Sequence, residues 1–369
     1  MKIINDVKII NHNQTINCAD IYIQDEKIVK IVPNNNTATQ IAVPGFIDTH
    51  IHGFMGYDVM EGEQATKMIS KHLAQHGTTS FMPSAMTNEW NVILESLKNI
   101  SKNQEWYSKN LGLHIEGPFI GTKKNGAHKP EFLKKCSIDS IDVLYNASNK
   151  QLKKISLDPD QIDKDTFLYT QDKLNIIGSI GHSNTSYQTA QEFFDLGCYS
   201  VCHLWNAMSG IDSRKPGLLQ ASLLNKNVYT EMIFDLLHIS KESLDLTFRL
   251  KGFDHIIAVS DAIKPAYAPD GDSISGGIPI TKKGLKITLK GTDTIAGSGI
   301  TIHDAFKNLI KIGVSFENAV KLTSYNSAKY LKLENEIGVI SQNYFADIVL
   351  LNPKTLELEN VYINGEQIK

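Results

Sequence analysis

The chain has 369 residues, which is enough for one large domain and a smaller one. Its 37 Lys and Arg nearly balance 40 Asp and Glu, and a net charge of −3 gives no reason to expect nucleic acid or an anionic membrane as a partner. The sequence shows no apolar core of a signal peptide and no apolar run that could span a bilayer. We therefore expect a globular, cytoplasmic protein.

Both ends of the chain predict β-structure. The first forty residues alternate apolar and polar side chains in VKIIN, ADIYIQ and KIVKIVPN. The last residues do the same in ADIVLLNP and NVYINGEQIK, where Asn364 and Gly365 are a turn signal. Two β-rich ends around a different middle predict a small β-sandwich domain built from both chain termini. We place its two parts at residues 1–43 and 341–369.

The middle of the chain alternates strand-like and helix-like segments. Eight segments predict strands: 42–52, 78–84, 111–117, 153–160, 174–182, 198–205, 228–235 and 255–261. Helical patterns, some ending at a glycine, separate several of them. Eight strands with helical crossovers predict an α/β fold, a (β/α)8 TIM barrel over residues 44–340. A glycine-rich, alternating stretch near 264–295 predicts a β-hairpin inserted after the eighth strand.

Histidines and carboxylates recur where the predicted strands end. His50 and His52 are two residues apart in an extended segment, so their side chains point the same way. Other strand ends carry His114, Glu116, His182, His203, His238 and Asp261. The C-terminal ends of barrel strands meet at one mouth, and so many chance placements there are less probable than a single metal site. The sequence therefore predicts a metal centre.

The types of residue at this mouth indicate the chemistry. His and carboxylate ligands without cysteine suit a catalytic site for a divalent cation, either zinc, iron, manganese or cobalt. Such a site activates water near neutral pH. Asp261, at the last strand, would take the proton of that water and return it to a leaving group. We therefore predict metal-assisted hydrolysis.

Seven motifs carry a resemblance to a known family. They are HIEGPF (114–119), GAH (126–128), GHS (181–183), HLWNAM (203–208), RKPGL (214–218), SDA (260–262) and IAGS (295–298). Together they resemble the amidohydrolase superfamily, and within it the N-acetylglucosamine-6-phosphate deacetylases. The resemblance implies hydrolysis of the acetamide of N-acetylglucosamine 6-phosphate to glucosamine 6-phosphate and acetate, a reaction of amino sugar catabolism and cell-wall sugar recycling.

The resemblance also implies which residues bind metal. Glu116, His182 and His203 match the ligands of the principal ion, and His50 and His52 match a second site that only some members keep. One or two ions per subunit are therefore expected. Binuclear amidohydrolases often bridge their two ions with a carboxylated lysine of the fourth strand, but Lys153 and Lys154 stand at the start of that strand here. Glu116 is the better candidate for the bridge.

Further matches concern catalysis and substrate binding. Asp261 matches the catalytic acid and base, and Arg214 matches a phosphate contact that reaches the neighbouring active site of a homodimer. The residues that match substrate contacts are Ala127, His128, Asn206, Ala207, Arg214, His238, Ile295, Ala296, Gly297 and Ser298.

The chain departs from the family pattern in two places. Trp205 stands where phenylalanine is usual and would narrow the pocket, and a glycine usually found before His238 is missing. These departures leave fine substrate preference open, including other N-acetylhexosamine 6-phosphates. Alternatives to the deacetylase reading are a cyclic-amide hydrolase or nucleobase deaminase on the same barrel, and a catalytically inactive binding protein.

Overall fold

The computed structural model describes residues 1–103 and 105–369. Strands make up both ends of the chain, and strands and helices alternate between them. In chain order the strands are β1 (Lys2–Ile10), β2 (Thr15–Gln24), β3 (Lys27–Pro33), β4 (Gln40–Pro44), β5 (Phe46–Ile51), β6 (Gly53–Phe54), β7 (Tyr57–Asp58), β8 (Thr78–Met86), β9 (Lys109–Asn110), β10 (Leu113–Glu116), β11 (Leu152–Leu157), β12 (Ile177–Ile180), β13 (Ser200–Val201), β14 (Tyr229–Ile233), β15 (Ile256–Val259), β16 (Gly271–Ser275), β17 (Ile278–Lys283), β18 (Lys286–Leu289), β19 (Ile348–Leu351), β20 (Leu358–Ile363) and β21 (Glu366–Gln367).

The helices follow most barrel strands. They are α1 (Glu63–Gln75), α2 (Trp90–Ile100), α3 (Ile138–Ala147), α4 (Lys164–Leu168), α5 (Tyr187–Asp195), α6 (Leu218–Leu224), α7 (Lys241–Lys251), α8 (Ile302–Lys311), α9 (Phe316–Val320) and α10 (Asn326–Tyr330). Many begin after a Ser, Thr or Asp whose side chain accepts a hydrogen bond from the first turn, as at Ser137, Asp163, Ser186, Ser240, Thr301 and Ser315. Within the two described ranges, no helix is long and apolar enough to cross a bilayer.

The predicted TIM barrel is confirmed. Its parallel strands pair in the order β5, β8, β10, β11, β12, β13, β14 and β15. The two end strands meet through backbone hydrogen bonds, from Asp261 N to His50 O at 2.9 Å and from His52 N to Ala262 O at 2.8 Å. Strands β5, β8, β10, β14 and β15 are buried along their whole length, because helices cover one face and the barrel interior the other.

The strands from both termini come together in one separate sheet, which confirms the predicted β-structure built from both chain ends. Its seven strands lie in the order β21, β20, β19, β4, β1, β2 and β3. The predicted strand 42–52 is therefore two strands, since β4 joins this terminal sheet and β5 joins the barrel. Gly45 lies between them, and a Cβ there would stand 2.1 Å from Thr79 Oγ1, so only glycine fits. The exact domain boundaries stay a prediction.

The insertion after the eighth barrel strand is a three-stranded antiparallel sheet of β16, β17 and β18, which we call the hairpin insertion. Its first turn is tied to the barrel. The Asp58 carboxylate accepts hydrogen bonds from Ser275 Oγ at 2.7 Å and Gly276 N at 2.8 Å. Asn88 Nδ2 donates to Gly276 O at 3.1 Å. These contacts hold the turn against the loops that follow β7 and β8.

Candidate metal centre and active site

The metal-binding candidates lie where the barrel strands end, as the strand pattern predicts. His50 lies near the end of β5, His52 follows that strand, and Glu116 is the last residue of β10. Three further candidates each follow their strand by two residues, namely His182, His203 and Asp261. All six residues are buried. The fold therefore brings the predicted ligands together at one end of the barrel.

Four imidazole nitrogens form two close pairs. The Nε2 atoms of His50 and His52 are 3.0 Å apart, and those of His182 and His203 are also 3.0 Å apart. Two atoms that bind one ion at about 2.0–2.1 Å lie roughly 3 Å from each other. Each pair therefore has the spacing of two ligands of one metal ion.

In two of these histidines, the contact made by Nδ1 shows which ring nitrogen carries the proton. His52 Nδ1 lies 2.8 Å from the carbonyl oxygen of Ser84, and His182 Nδ1 lies 2.9 Å from that of Lys124. A carbonyl only accepts, so Nδ1 carries the hydrogen and a neutral ring presents a lone pair at Nε2. These two Nε2 atoms face the Glu116 carboxylate at 3.2 and 3.1 Å.

An imidazole lone pair and a carboxylate oxygen repel each other when they are about 3 Å apart. A cation must therefore lie between Glu116 and each of these imidazoles, either a proton or a metal ion. Protonating neighbouring imidazoles would place like charges on rings whose nitrogens are 3.0 Å apart. A divalent metal avoids that repulsion and suits a set of imidazole and carboxylate donors. The residues present therefore fit the cation that the sequence predicts.

Glu116 lies between the two imidazole pairs. Its Oε1 is 3.1 Å from His182 Nε2 and 2.9 Å from His203 Nε2, while its Oε2 is 3.2 Å from His52 Nε2. The same Oε2 lies 3.3 Å from His128 Nε2. Glu116 can therefore contact a metal ion at either pair, which is the position that a bridging carboxylate needs.

Asp261 lies beside the first imidazole pair. Its Oδ1 is 3.4 Å from His52 Nε2 and 3.7 Å from His50 Nε2. Burial by itself would raise the pKa of Asp261, but positive charge beside His50 and His52, from a proton or from a bound metal ion, lowers it. A carboxylate that is ionised at neutral pH can bind a cation or accept a proton.

The backbone at this mouth is strained. The φ angle is +47° at His182, +21° at His203 and +48° at Asp261. A non-glycine residue in this region costs about 1–2 kcal/mol, so it persists only where the surrounding structure fixes it. Strain that gathers at strand ends bearing the candidate ligands is independent support for a functional site.

A cavity of about 350 Å³ opens over the six metal-binding candidates, which we call the donor cluster: His50, His52, Glu116, His182, His203 and Asp261. This volume is within the range of small-molecule sites. Most predicted substrate contacts line it, namely Ala127, His128, Asn206, Ala207, His238, Ile295, Ala296 and Gly297. Ser298 lies behind this lining, where its backbone N–H donates to Asp261 O at 2.7 Å. Arg214 is exposed on a loop outside the lining.

His238 is fixed by its neighbour Asp235. The Asp235 carboxylate lies 2.6 Å from His238 Nδ1 and accepts a hydrogen bond of 2.8 Å from the His238 backbone N–H. This contact orients the ring and leaves Nε2 free to bind a ligand in the cavity that His238 lines.

An apolar wall that the sequence analysis missed closes one side of the cavity. Met86, the last residue of β8, lines it with Ile263, Ile278 and Ile280. In the order of barrel strands β8 is second and β13 is sixth, so this wall stands across the barrel from Asn206, which follows β13. The alternating pattern of the hairpin insertion was visible in the sequence, but nothing in it showed that these isoleucines would reach the cavity.

Comparison with known proteins identifies the family. The profile of the group described as "Amidohydrolase family" matches residues 41–368, which include every metal-binding candidate named above. The chain belongs to the amidohydrolase family.

Relatives of this amidohydrolase carry one recurrent name. An N-acetylglucosamine-6-phosphate deacetylase of Lysinibacillus sphaericus is 29% identical and aligns with 96% of this chain and 94% of its own. An N-acetylgalactosamine-6-phosphate deacetylase of Escherichia coli O157:H7 is 27% identical over 89% and 87%. The crystal structure of an N-acetylglucosamine-6-phosphate deacetylase from Thermotoga maritima superposes with a TM-score of 0.91 at 28% identity, covering 100% of this chain and 99% of that one.

This amidohydrolase does have a lysine inside its fourth barrel strand. Lys154 is fully buried, donates from Nζ to Thr49 O at 2.9 Å and forms an ion pair with Glu231. Because its ammonium group is held by these two partners, Lys154 is not placed to bridge metal ions. Glu116 remains the bridging candidate.

The two departures from the family pattern have structural explanations. The Trp205 indole donates to Thr247 Oγ1 of α7 at 2.9 Å, and Trp205 is absent from the described lining of the cavity. The expectation that this ring narrows the pocket is therefore not supported. Leu236, one of the two residues between Asp235 and His238, has a φ of +62°, an angle that glycine favours. The backbone shape that glycine favours is kept without glycine.

Proposed function

We propose that the chain is a metal-dependent N-acetylglucosamine-6-phosphate deacetylase, which produces glucosamine 6-phosphate and acetate. One observation carries this proposal: a single cavity combines the donor cluster with the imidazole of His238, whose Nδ1 is held by Asp235. The deacetylase names of relatives that align over nearly the whole chain support the same activity.

The donor cluster would hold one or two ions. Glu116, His182 and His203 would bind the principal ion, and His50 and His52 a second, with Asp261 beside them. Zinc, iron, manganese and cobalt all suit these ligands. When bound, such a cation supplies a polarised amide carbonyl and an activated water.

The protein's own residues supply the proton transfers and the orientation of the substrate. Asp261 takes a proton from the attacking water and delivers it to the nitrogen, which is too basic to leave without it. His128 lines the cavity beside Glu116, and its side chain would donate a hydrogen bond to the amide oxygen. His238 and the backbone at Asn206 and Ala207 would hold the phosphate.

We also propose a homodimer in which Arg214 of one subunit contacts the phosphate at the other active site. Arg214 is exposed and lies outside the cavity of its own subunit, which agrees with a role in a neighbouring one. A cytoplasmic location follows from the proposed substrate, because a sugar phosphate is too strongly charged to cross a bilayer unaided.

The decisive experiment is acetate release by the metal-loaded protein. We expect turnover of N-acetylglucosamine 6-phosphate and much slower turnover of N-acetylglucosamine. N-acetylgalactosamine 6-phosphate belongs in the same assay, since one relative is named for that substrate. Activity on dihydropyrimidines, hydantoins or nucleobases, with none on the sugar phosphates, would replace this proposal with a cyclic-amide hydrolase or a deaminase.

A further inference from the structure

The four imidazoles of the donor cluster differ in what contacts Nδ1. Backbone carbonyls hold His52 and His182, as described above. In the part of the chain that the structure describes, His203 Nδ1 has no hydrogen-bond partner. His50 Nδ1 instead faces a side-chain carboxylate, Glu231 Oε2, at 3.5 Å. Among the described residues, His50 alone of these four histidines has its Nδ1 facing a charged side chain.

Glu231 lies in the barrel interior and is itself rigidly held. It is fully buried on β14. Its Oε1 accepts a hydrogen bond from Thr49 Oγ1 at 2.8 Å and pairs with the ammonium group of Lys154. Its Oε2 lacks a hydrogen-bond donor among the described residues and is directed at His50. A buried carboxylate oxygen that receives no hydrogen bond destabilises the folded protein, so its presence here calls for a functional explanation.

A second neighbour of His50 Nδ1 is a weaker candidate for the same role. Cys202 Sγ also lies 3.5 Å from that nitrogen. Sulfur is a weak hydrogen-bond acceptor, whereas an ionised carboxylate is a strong one. The stronger acceptor for the His50 proton is therefore Glu231.

We propose that Glu231 is a positioning residue for the second metal ion: it accepts the Nδ1 proton of His50 and so directs the Nε2 lone pair to the site shared with His52 and Asp261. Lys154 keeps the carboxylate in place and balances its charge. This inference rests on the proposed two-ion site. It makes binding of the second ion depend on the ion pair between Glu231 and Lys154. Carboxylate partners of metal-bound histidines typically change metal affinity 10- to 100-fold.

The test is a metal titration that needs no substrate. Metal-free wild type and the double variant Lys154→Met/Glu231→Leu are titrated with Co²⁺, and binding is followed by equilibrium dialysis and visible absorption. Removing both charges together avoids leaving one of them buried and unpaired. We expect the first ion to bind normally and the second to bind about 10- to 100-fold more weakly, with the absorption of the second ion lost or shifted.

Two further variants keep the proposal falsifiable. Glu231→Gln preserves size if the double variant does not fold, and should weaken the second ion in the same direction. Cys202→Ala removes the other neighbour of His50 Nδ1 and should leave both affinities unchanged. Two ions bound with wild-type affinity by the Glu231 variants, or only one by wild type, would overturn the proposal. A second ion that depends on Glu231 in a chain without deacetylase activity would overturn the proposed function alone.

Discussion

Asp261 can act as a metal ligand, as a proton carrier, or as both, and one substitution separates these roles. Asp261→Asn keeps the size of the side chain and one hydrogen bond but cannot carry a proton. We expect turnover to fall by roughly 10²–10⁴-fold, the usual loss for a general acid–base group, with substrate binding largely kept. The measurement is kcat together with metal content on the same sample.

The metal content decides how this result is read. Glu116, His182 and His203 do not depend on Asp261, so the principal ion should remain. Near-normal turnover at full metal content would remove Asp261 from the mechanism. Loss of the principal ion in this variant would show that Asp261 serves chiefly as a metal ligand.

Leu236 offers a second test at the scale of single residues. Its φ of +62° strains any side chain with a Cβ, whereas glycine tolerates the angle. We compare Leu236→Gly with Leu236→Ala, because both lose the leucine contacts and only alanine keeps the strain. Glycine should be more stable than alanine by about 1 kcal/mol in urea unfolding, the reverse of their order in a helix. Equal stabilities would show that the position is not strained.

At the scale of elements, the hairpin insertion forms part of the substrate cavity. Ile278 of β17 belongs to the apolar wall, which lies opposite the proposed phosphate contacts. We therefore expect the acyl group of the substrate to contact this wall. Ile278→Ala should raise the preference for N-propionyl over N-acetyl substrate, measured as a ratio of kcat/KM. One additional buried CH₂ is worth about 0.8 kcal/mol, or roughly fourfold.

Ile287 provides the matched control for this prediction. It is a fully buried isoleucine of the same hydrophobic cluster, on β18, but it does not line the described cavity. Ile287→Ala should therefore lower stability without changing the acyl preference. The same shift in both variants would mean that the insertion has merely loosened.

Helix α6 ends against a buried amine whose charge depends on pH. Lys251 Nζ donates to Ser222 O at 3.1 Å and Asn225 O at 2.7 Å, and burial lowers the pKa of Lys251 from 10.5 to about 7. Between these two pKa values the unfolded chain binds one proton more than the folded chain. The free energy of unfolding contributed by this residue therefore rises with pH across that interval.

The matching experiment compares wild type with Lys251→Met in urea at several pH values. The difference in unfolding free energy should shift in favour of wild type as the pH rises from about 7 to about 10, by at most about 1.4 kcal/mol per pH unit. A difference that is constant over this interval would show that Lys251 stays charged in the folded protein.

At the scale of the whole molecule, the proposed dimer joins two active sites. Arg214→Ala should weaken the binding of the phosphorylated substrate about ten- to a hundredfold, because a charge-assisted contact contributes roughly 1.5–3 kcal/mol. Binding of the unphosphorylated sugar should scarcely change. Dilution of wild type to monomers should give the same phosphate-specific loss. Arg249→Ala is the control, because this arginine is exposed on α7 and pairs with Asp245. Equal losses on both sugars would exclude a phosphate contact.

The barrel and its donor cluster were accessible from the sequence for a simple reason. A strand alternates its side chains, and parallel barrel strands end at one mouth, so His50, His52 and Glu116 could be placed together from periodicity alone. The predicted strand 153–160 is present as β11. Short strands were harder, since β13 has only two residues where eight were predicted.

Features that depend on contacts between distant segments could not be predicted. Met86 and Ile278 become neighbours in one cavity because Asp58 fixes Ser275 from 217 positions away in the chain. Glu231 lies in the middle of a fully buried strand, and its pairing with Lys154 depends on the barrel having closed. No local pattern encodes such proximity, because it follows from the packing of whole elements.

The mixed origin of the terminal sheet has a consequence for synthesis on the ribosome. Strands β1 to β4 emerge first, yet β4 pairs on one side with β19, which emerges only after the entire barrel. Until then the edge of β4 has unpaired backbone groups, and such an edge invites pairing with other chains. A nascent chain arrested before residue 348 would therefore expose the unpaired edge of β4 beside a barrel that is folded or still folding. Synthesis of β19, rather than closure of the barrel, would therefore be the step that covers this edge of β4.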